Sequence, residues 1–242
     1  MIGRVRPGEQ GDLHRAAPYV TLMEYLALPG CPICRIGHEQ EHSFIDILFY
    51  ERVNEPELRL DLKKSFGFCQ AHALQVISFG DPLGNAIIYE NLLSDIKERL
   101  KTAVAKPAGA APMVERFFHS RDGQPLSAEA ECPICVSKRA REQDYVDFLV
   151  CHLDDDALAA AYGLSSGMCV PHLNEAVKIA QRGSFHRQLT RLQRLEAAIM
   201  DRLKDELKEI MRKHDYRFSA EPLGPERDAW IRAIRKVSGS PP

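Results

Sequence analysis

The sequence predicts an all-α protein: a helical bundle built from two tandem repeats, each with a Cys3His metal site. Three observations predict it. Cysteine motifs recur at an offset of about 100 residues. Apolar residues recur at helical spacing along most of the chain, and strand signals are weak throughout. With 242 residues the chain is long enough for one or two domains with a proper core.

Taken in order, residues 1–18 read as an N-terminal extension. Tyr19–Leu28 is apolar but interrupted by Glu24, with no small-residue cleavage pattern after it, so no secretory signal is expected. Segment 36–52 carries Phe44, Ile45, Leu48 and Phe49 near helical spacing. Residues 84–104 form a stronger helix, with Ile88, Leu92, Ile96, Leu100 and Val104 at four-residue steps. The first repeat therefore spans 19–105. Lys106-Pro-Ala-Gly-Ala-Ala-Pro112 breaks the pattern and opens a linker over 106–130.

The second repeat, 131–214, begins again with a helix over Val136–His152, whose apolar residues are Val146, Phe148 and Leu149. Its last helix is the longest, from Ser184 as N-cap to Lys213, striped by Leu189, Leu192, Ile199, Leu203 and Ile210. A tail, 215–242, holds a short helix around Glu226–Lys236 with the only tryptophan, Trp230. The two long helices are expected to pack on each other as the bundle core, or alternatively to form the seam of a homodimer.

The repeat is clearest in the cysteines. The first half reads Cys31-Pro-Ile-Cys34 and then Gly67-Phe-Cys69-Gln-Ala-His72. The second reads Cys132-Pro-Ile-Cys135 and then Gly167-Met-Cys169-Val-Pro-His172. The second and third cysteines are 35 residues apart in one half and 34 in the other. Phe44-Ile-Asp-Ile-Leu48 and Tyr145-Val-Asp-Phe-Leu149 stand at equal offsets between them.

These residue types suit a metal. Cys-Pro-Ile-Cys makes a tight knuckle in which Pro32 fixes its own φ and pushes Cys31 toward an extended conformation. Cys69 and His72, three apart, share one face of a helix. Gly67 permits a left-handed approach into that helix. The expected sets are Cys31, Cys34, Cys69 and His72 in the first repeat, and Cys132, Cys135, Cys169 and His172 in the second. Cys3His is a closed structural zinc set with no open position for chemistry, so two zinc ions per chain are expected. An iron–sulfur cluster is the alternative, although four cysteines are usual for one. A thioredoxin-like redox pair would need a β/α context that the sequence lacks. Clustered cysteines without a secretion signal read as a cytoplasmic protein. Cys151 stands where the first repeat has Tyr50 and reads as a small buried apolar residue.

His38-Glu39-Gln-Glu-His42 matches His-Glu-x-x-His, in which two histidines hold zinc and the glutamate is general base. Gln40 and Glu41 are polar where a catalytic helix is buried, and the second repeat has Arg139 and Gln143 in place of the histidines. A solvated helix face is therefore expected, with a zinc hydrolase as the alternative.

Charge names no partner: 32 Lys+Arg against 34 Asp+Glu leaves −2. The run Lys178, Arg182, Arg187, Arg191 and Arg194 reads as a solvated face, and nucleic-acid binding is not expected. No membrane span is expected either. Ala157–Asn174 lacks charges, but Gly163, Gly167 and Pro171 interrupt it. The expected partner is another protein.

At these motifs the chain resembles a bacterial family of uncharacterised proteins with duplicated Cys-Pro-x-Cys and Gly-x-Cys-x-x-His motifs. The resemblance extends to His214-Asp-Tyr-Arg-Phe218 and Asp228-Ala-Trp-Ile-Arg-Ala233. It implies the same eight ligand positions and no established activity.

Overall fold

A computed structural model describes residues 13–105, 126–218 and 220–239, and the regular structure in them is helical, with no strand among the described residues. Most of the expected linker and of the N-terminal extension lies outside the described residues. The α-helices are α1 (Ala17–Leu26), α2 (Pro32–Ile47, continuing as a π-helical turn Leu48–Arg52), α3 (Pro56–Ser65), α4 (Gln70–Phe79) and α5 (Pro82–Ala105). They continue as α6 (Pro133–His152), α7 (Asp156–Leu164), α8 (Val170–Arg182), α9 (His186–Lys213) and α10 (Ala229–Ser238). A 3-10 turn, Pro225–Asp228, leads into α10. No described helix is long and apolar enough to cross a membrane.

The chain divides into two compact units. A terminal unit comprises Met1–Glu39 and Ala140–Pro242, and a central unit comprises Gln40–Arg139. The chain thus passes between units inside α2 and inside α6, not at the linker. The start of α2 belongs to the terminal unit and the start of α6 to the central one.

Each unit has its own core. Leu22, Ile33, Leu149, Leu158, Tyr162, Met168, Leu192 and Ile199 are buried together in the terminal unit. Ile45, Leu48, Leu58, Leu62, Ile88, Leu92 and Ile134 form the central core. The two long helices therefore serve separate cores and do not form one shared core. Helix α5 packs on α3, and α9 packs on α7, α8 and α10. Leu100, in the expected stripe of α5, is exposed.

Ser184 ends one helix and does not begin the next. It has φ 56°, and Phe185 N–H donates to Ala180 O at 2.8 Å, closing α8 with a left-handed Schellman turn. Phe185 is the residue that precedes α9. Asp155 caps α7 by accepting from Leu158 N–H at 2.8 Å.

Glu196, 3% exposed, anchors the terminal unit. Its Oε2 accepts from Lys236 Nζ at 2.6 Å, and its Oε1 accepts from Met168 N–H at 2.9 Å and from the Tyr162 hydroxyl. This carboxylate ties α9 to α10 and to the turn leading into α8. Gly167, at φ +64°, runs against it so closely that a Cβ there would stand 2.6 Å from Glu196 Oε1.

Candidate metal centres

The four cysteine motifs are four helix N-termini. Cys31, Cys69, Cys132 and Cys169 each immediately precede a helix, α2, α4, α6 and α8. In each case the cysteine carbonyl accepts the first intrahelical bond: from Arg35, Ala73, Val136 and Leu173 N–H at 3.3, 2.8, 3.1 and 2.8 Å. The cysteine is thus the N-cap, and its partner, Cys34, His72, Cys135 or His172, is the third residue of the helix. Those two positions project to the same side, as the reciprocal bonds of a capping box require. The positive end of the helix dipole also favours thiolate there. Pro32 and Pro133 occupy the first helical position, where a missing N–H costs nothing. Ile33 and Ile134, both 0% exposed, pin the two Cys-Pro-Ile-Cys knuckles into their cores. Gly67 and Gly167 take φ of 84° and 64° just before the Cys-x-x-His turns, as the expected left-handed approach requires.

The eight predicted residues gather into two groups able to hold a metal ion, but the grouping crosses the repeats. Cys31 and Cys34 meet Cys169 and His172 in the terminal unit, and Cys132 and Cys135 meet Cys69 and His72 in the central unit. The expectation that each repeat completes its own site is corrected: each site takes its Cys-Pro-Ile-Cys from one half and its Cys-x-x-His from the other. The cause is the passage of α2 and α6 between units. Each begins in one unit and continues into the other, so each knuckle is separated from the Cys-x-x-His of its own half.

Both sulfur–sulfur distances and three of the six sulfur–nitrogen distances match a tetrahedral ion, and the other three sulfur–nitrogen distances are shorter. With Zn–S of ~2.3 Å and Zn–N of ~2.0–2.1 Å, a tetrahedron sets S···S at ~3.8 Å and S···N at ~3.6 Å. In the terminal group Cys34 Sγ lies 3.7 Å from Cys169 Sγ, and His172 Nδ1 lies 3.5, 3.6 and 3.1 Å from the sulfurs of Cys31, Cys34 and Cys169. In the central group Cys69 Sγ lies 3.7 Å from Cys135 Sγ, and His72 Nδ1 lies 3.1, 3.6 and 3.3 Å from those of Cys69, Cys132 and Cys135. A disulfide would need its sulfurs at ~2.05 Å, and none of the described cysteines forms one.

Both histidines present Nδ1 to the sulfurs, which leaves Nε2 for a carboxylate. Glu41 Oε1 stands 3.0 Å from His72 Nε2, and Glu142 Oε2 stands 3.4 Å from His172 Nε2. The two glutamates each lie seven residues beyond the second cysteine of a knuckle, so they belong to the duplicated pattern. A carboxylate behind a metal-binding imidazole holds its tautomer and orientation. The sequence reading missed both, and their equal offset was the signal that could have found them. The two differ in support. Glu41 also accepts from Lys138 Nζ at 2.7 Å, whereas the position equivalent to Lys138 is Gly37, over which the Glu142 carboxylate folds. Replacing Glu41 with Gln should lower metal affinity in the central unit about 10–100-fold without touching a ligand. Competition with a chelator of known affinity checks this, and an unaltered affinity would remove Glu41 from the site.

Without a metal these clusters are electrostatically awkward. Burial and the neighbouring Cys132 sulfur push the Cys135 thiol up, and hydrogen bonds from Cys169 and Cys34 push that of Cys31 up. Burial pulls His172 down, but its bonds to Cys31, Cys34 and Glu142 outweigh this and raise it to about 11. A divalent cation held by these residues would resolve all of these at once by displacing the shared protons.

The other expected residues stand apart from both groups. Glu39 is exposed and accepts from the Tyr25 hydroxyl at 2.5 Å, His42 is exposed, and His38 is half-buried. The solvated-face reading fails at one position: Glu41, a variable residue of that motif, is buried behind His72. Cys151 is half-buried where a buried residue was expected. In the basic run, Arg191 pairs with Asp156 at 2.7 Å and Lys178 with Glu175 at 2.7 Å.

A family model described as a family of unknown function (DUF6062) matches residues 24–242. An uncharacterised 23.9 kDa protein in the xynA 3′ region of Caldicellulosiruptor sp. (strain Rt8B.4) is 28% identical over 212 residues, covering 87% of this chain and 95% of that protein. No solved structure matches the chain.

Proposed function

We propose, for a chain that belongs to the family of unknown function DUF6062, that it is a non-enzymatic protein with two structural zinc ions and a protein partner. The observation that carries the reading is the donor geometry: three sulfurs and one imidazole nitrogen per group, all ligand atoms within 4.8 Å of one another. Such a set closes the coordination sphere and leaves no position for a substrate or an activated water. The metal's role here is to hold helix N-termini together. In each unit it joins segments far apart in sequence that have no strand ladder to tie them. The knuckle isoleucines place each site at the edge of a core, as a structural site requires. A cytoplasmic location, where thiols stay reduced, suits both clusters. Trp230, Ile234 and Val237, exposed at helical spacing on α10, supply an apolar face for a protein partner.

Metal analysis of natively purified protein tests the reading. Two zinc ions per chain are expected, and iron with acid-labile sulfide, or no metal, would overturn it. His38→Ala and Glu39→Gln should both leave that stoichiometry at two, and Glu39→Gln, at an exposed helix position, should change stability by no more than about ±0.5 kcal/mol. A third zinc that disappears in His38→Ala would instead assign the His-Glu-x-x-His segment to a hydrolase.

A further inference from the structure

The terminal unit contains a cleft that the metal-site reading does not use. It has a volume of about 560 Å³ and is walled by the segment before α2, the turn before α8, one face of α9, and the 3-10 turn with α10. That size lies within the ~300–1,000 Å³ of small-molecule sites. Its apolar surface comes from Leu26, Leu28, Leu164, Ile199, Leu203 and Ile231. Leu164, 86% exposed, sits at its rim.

The charged lining is one-sided. Five cations, Arg35, Arg202, Arg232, Arg235 and Lys236, face two carboxylates, Glu206 and Asp228. Arg232 takes up both carboxylates, donating from Nε to Asp228 at 2.8 Å and from Nη2 to Glu206. Lys236 is held by Glu196. Arg35, Arg202 and Arg235 remain without a carboxylate among the described residues. Two of these three are already set in place by backbone. Arg35 donates from Nε and Nη2 to Pro29 O at 2.8 and 2.5 Å, and Arg202 donates from Nη2 to Gly163 O and Ser165 O at 2.9 and 3.2 Å. Guanidinium groups anchored in this way lose little freedom when they bind an oxyanion, and each keeps further N–H donors for one.

We propose that this cleft binds a small amphiphilic organic anion, its phosphate or carboxylate head on Arg35, Arg202 and Arg235 and its apolar body on the leucine and isoleucine wall. Cys31 and Cys169 also line the cleft, so the rival role for the arginines is to balance the charge of the thiolate cluster. The inference does not depend on which metal fills that cluster.

Calorimetric titration of the full chain with octyl phosphate, octanoate, inorganic phosphate and octyltrimethylammonium tests it. One saturable site for an octyl anion is expected, the tighter of the two naming the head group. Inorganic phosphate should bind at least tenfold more weakly, and the cation not at all. The double variant Arg202→Gln, Arg235→Gln should weaken binding at least tenfold with metal content unchanged. Arg235→Gln alone, at an exposed position, should weaken it severalfold and keeps the test independent of folding. No saturable site for either octyl anion, equal binding of the cation, or unaltered affinity in the variants would overturn the proposal. So would metal loss from the double variant, which would give the arginines to the cluster instead.

Discussion

Stripping both metals with a strong chelator is expected to abolish the cooperative thermal transition and not merely to lower its midpoint. A structural zinc contributes an apparent ~10–16 kcal/mol in zinc-finger peptides, against a typical net stability of ~5–15 kcal/mol for a whole domain. Each unit here joins distant segments through its four ligands, so loss of the ion removes the tie and leaves thiols crowded at the edge of the core. The two sites should not empty together. Cys31, Cys34 and Cys169 are buried, whereas Cys69 is exposed and Cys135 half-buried, so the central ion should leave first. Circular dichroism melting beside metal analysis checks this, and unchanged melting after confirmed metal loss would contradict it.

Glu196→Ala is expected to be the most damaging substitution away from the metal ligands, at about 3–5 kcal/mol, the usual cost of breaking a buried ion pair. It leaves the largely buried ammonium of Lys236, the Tyr162 hydroxyl and the Met168 N–H without their common acceptor. The loss should be partly recovered in the double variant Glu196→Ala, Lys236→Met, because the larger share of the penalty is the stranded charge and not the attraction itself. Denaturant titration measures both. A single-variant loss below about 1 kcal/mol, the range of an exposed pair, would mean that water reaches Lys236 and that the pair is not structural.

The ligand identities were legible because chemistry repeats in a short window: a cysteine at a helix N-cap and a second donor three residues on read the same way in any fold. Their grouping was not, since nothing within Cys31–His72 records that α2 begins in one unit and continues into the other. Local motifs report local geometry, and partner choice is set by the path of the long helices between units. The two long helices were legible for a related reason. Ile88 and Leu92 on one, and Leu192 and Ile199 on the other, repeat over enough turns to show a period, but the period does not say which core receives them. Ser184 misled because serine serves both as an N-cap and, less commonly, in a left-handed turn, and here the closure of α8 decides. Glu41 was hidden inside a more conspicuous motif. Its polarity read as solvation, although a buried glutamate behind a histidine orients the imidazole that would hold a metal.

Two double variants bear most directly on the crossed grouping of the metal sites. Cys31→Ser with Cys169→Ser places both lesions in the terminal site, so one metal ion per chain should survive. Cys31→Ser with Cys69→Ser places one lesion in each site, so native mass spectrometry should find none bound at high affinity. Sites completed within each half of the sequence would give the reverse: no ion in the first variant, one in the second. That outcome would contradict the arrangement described above.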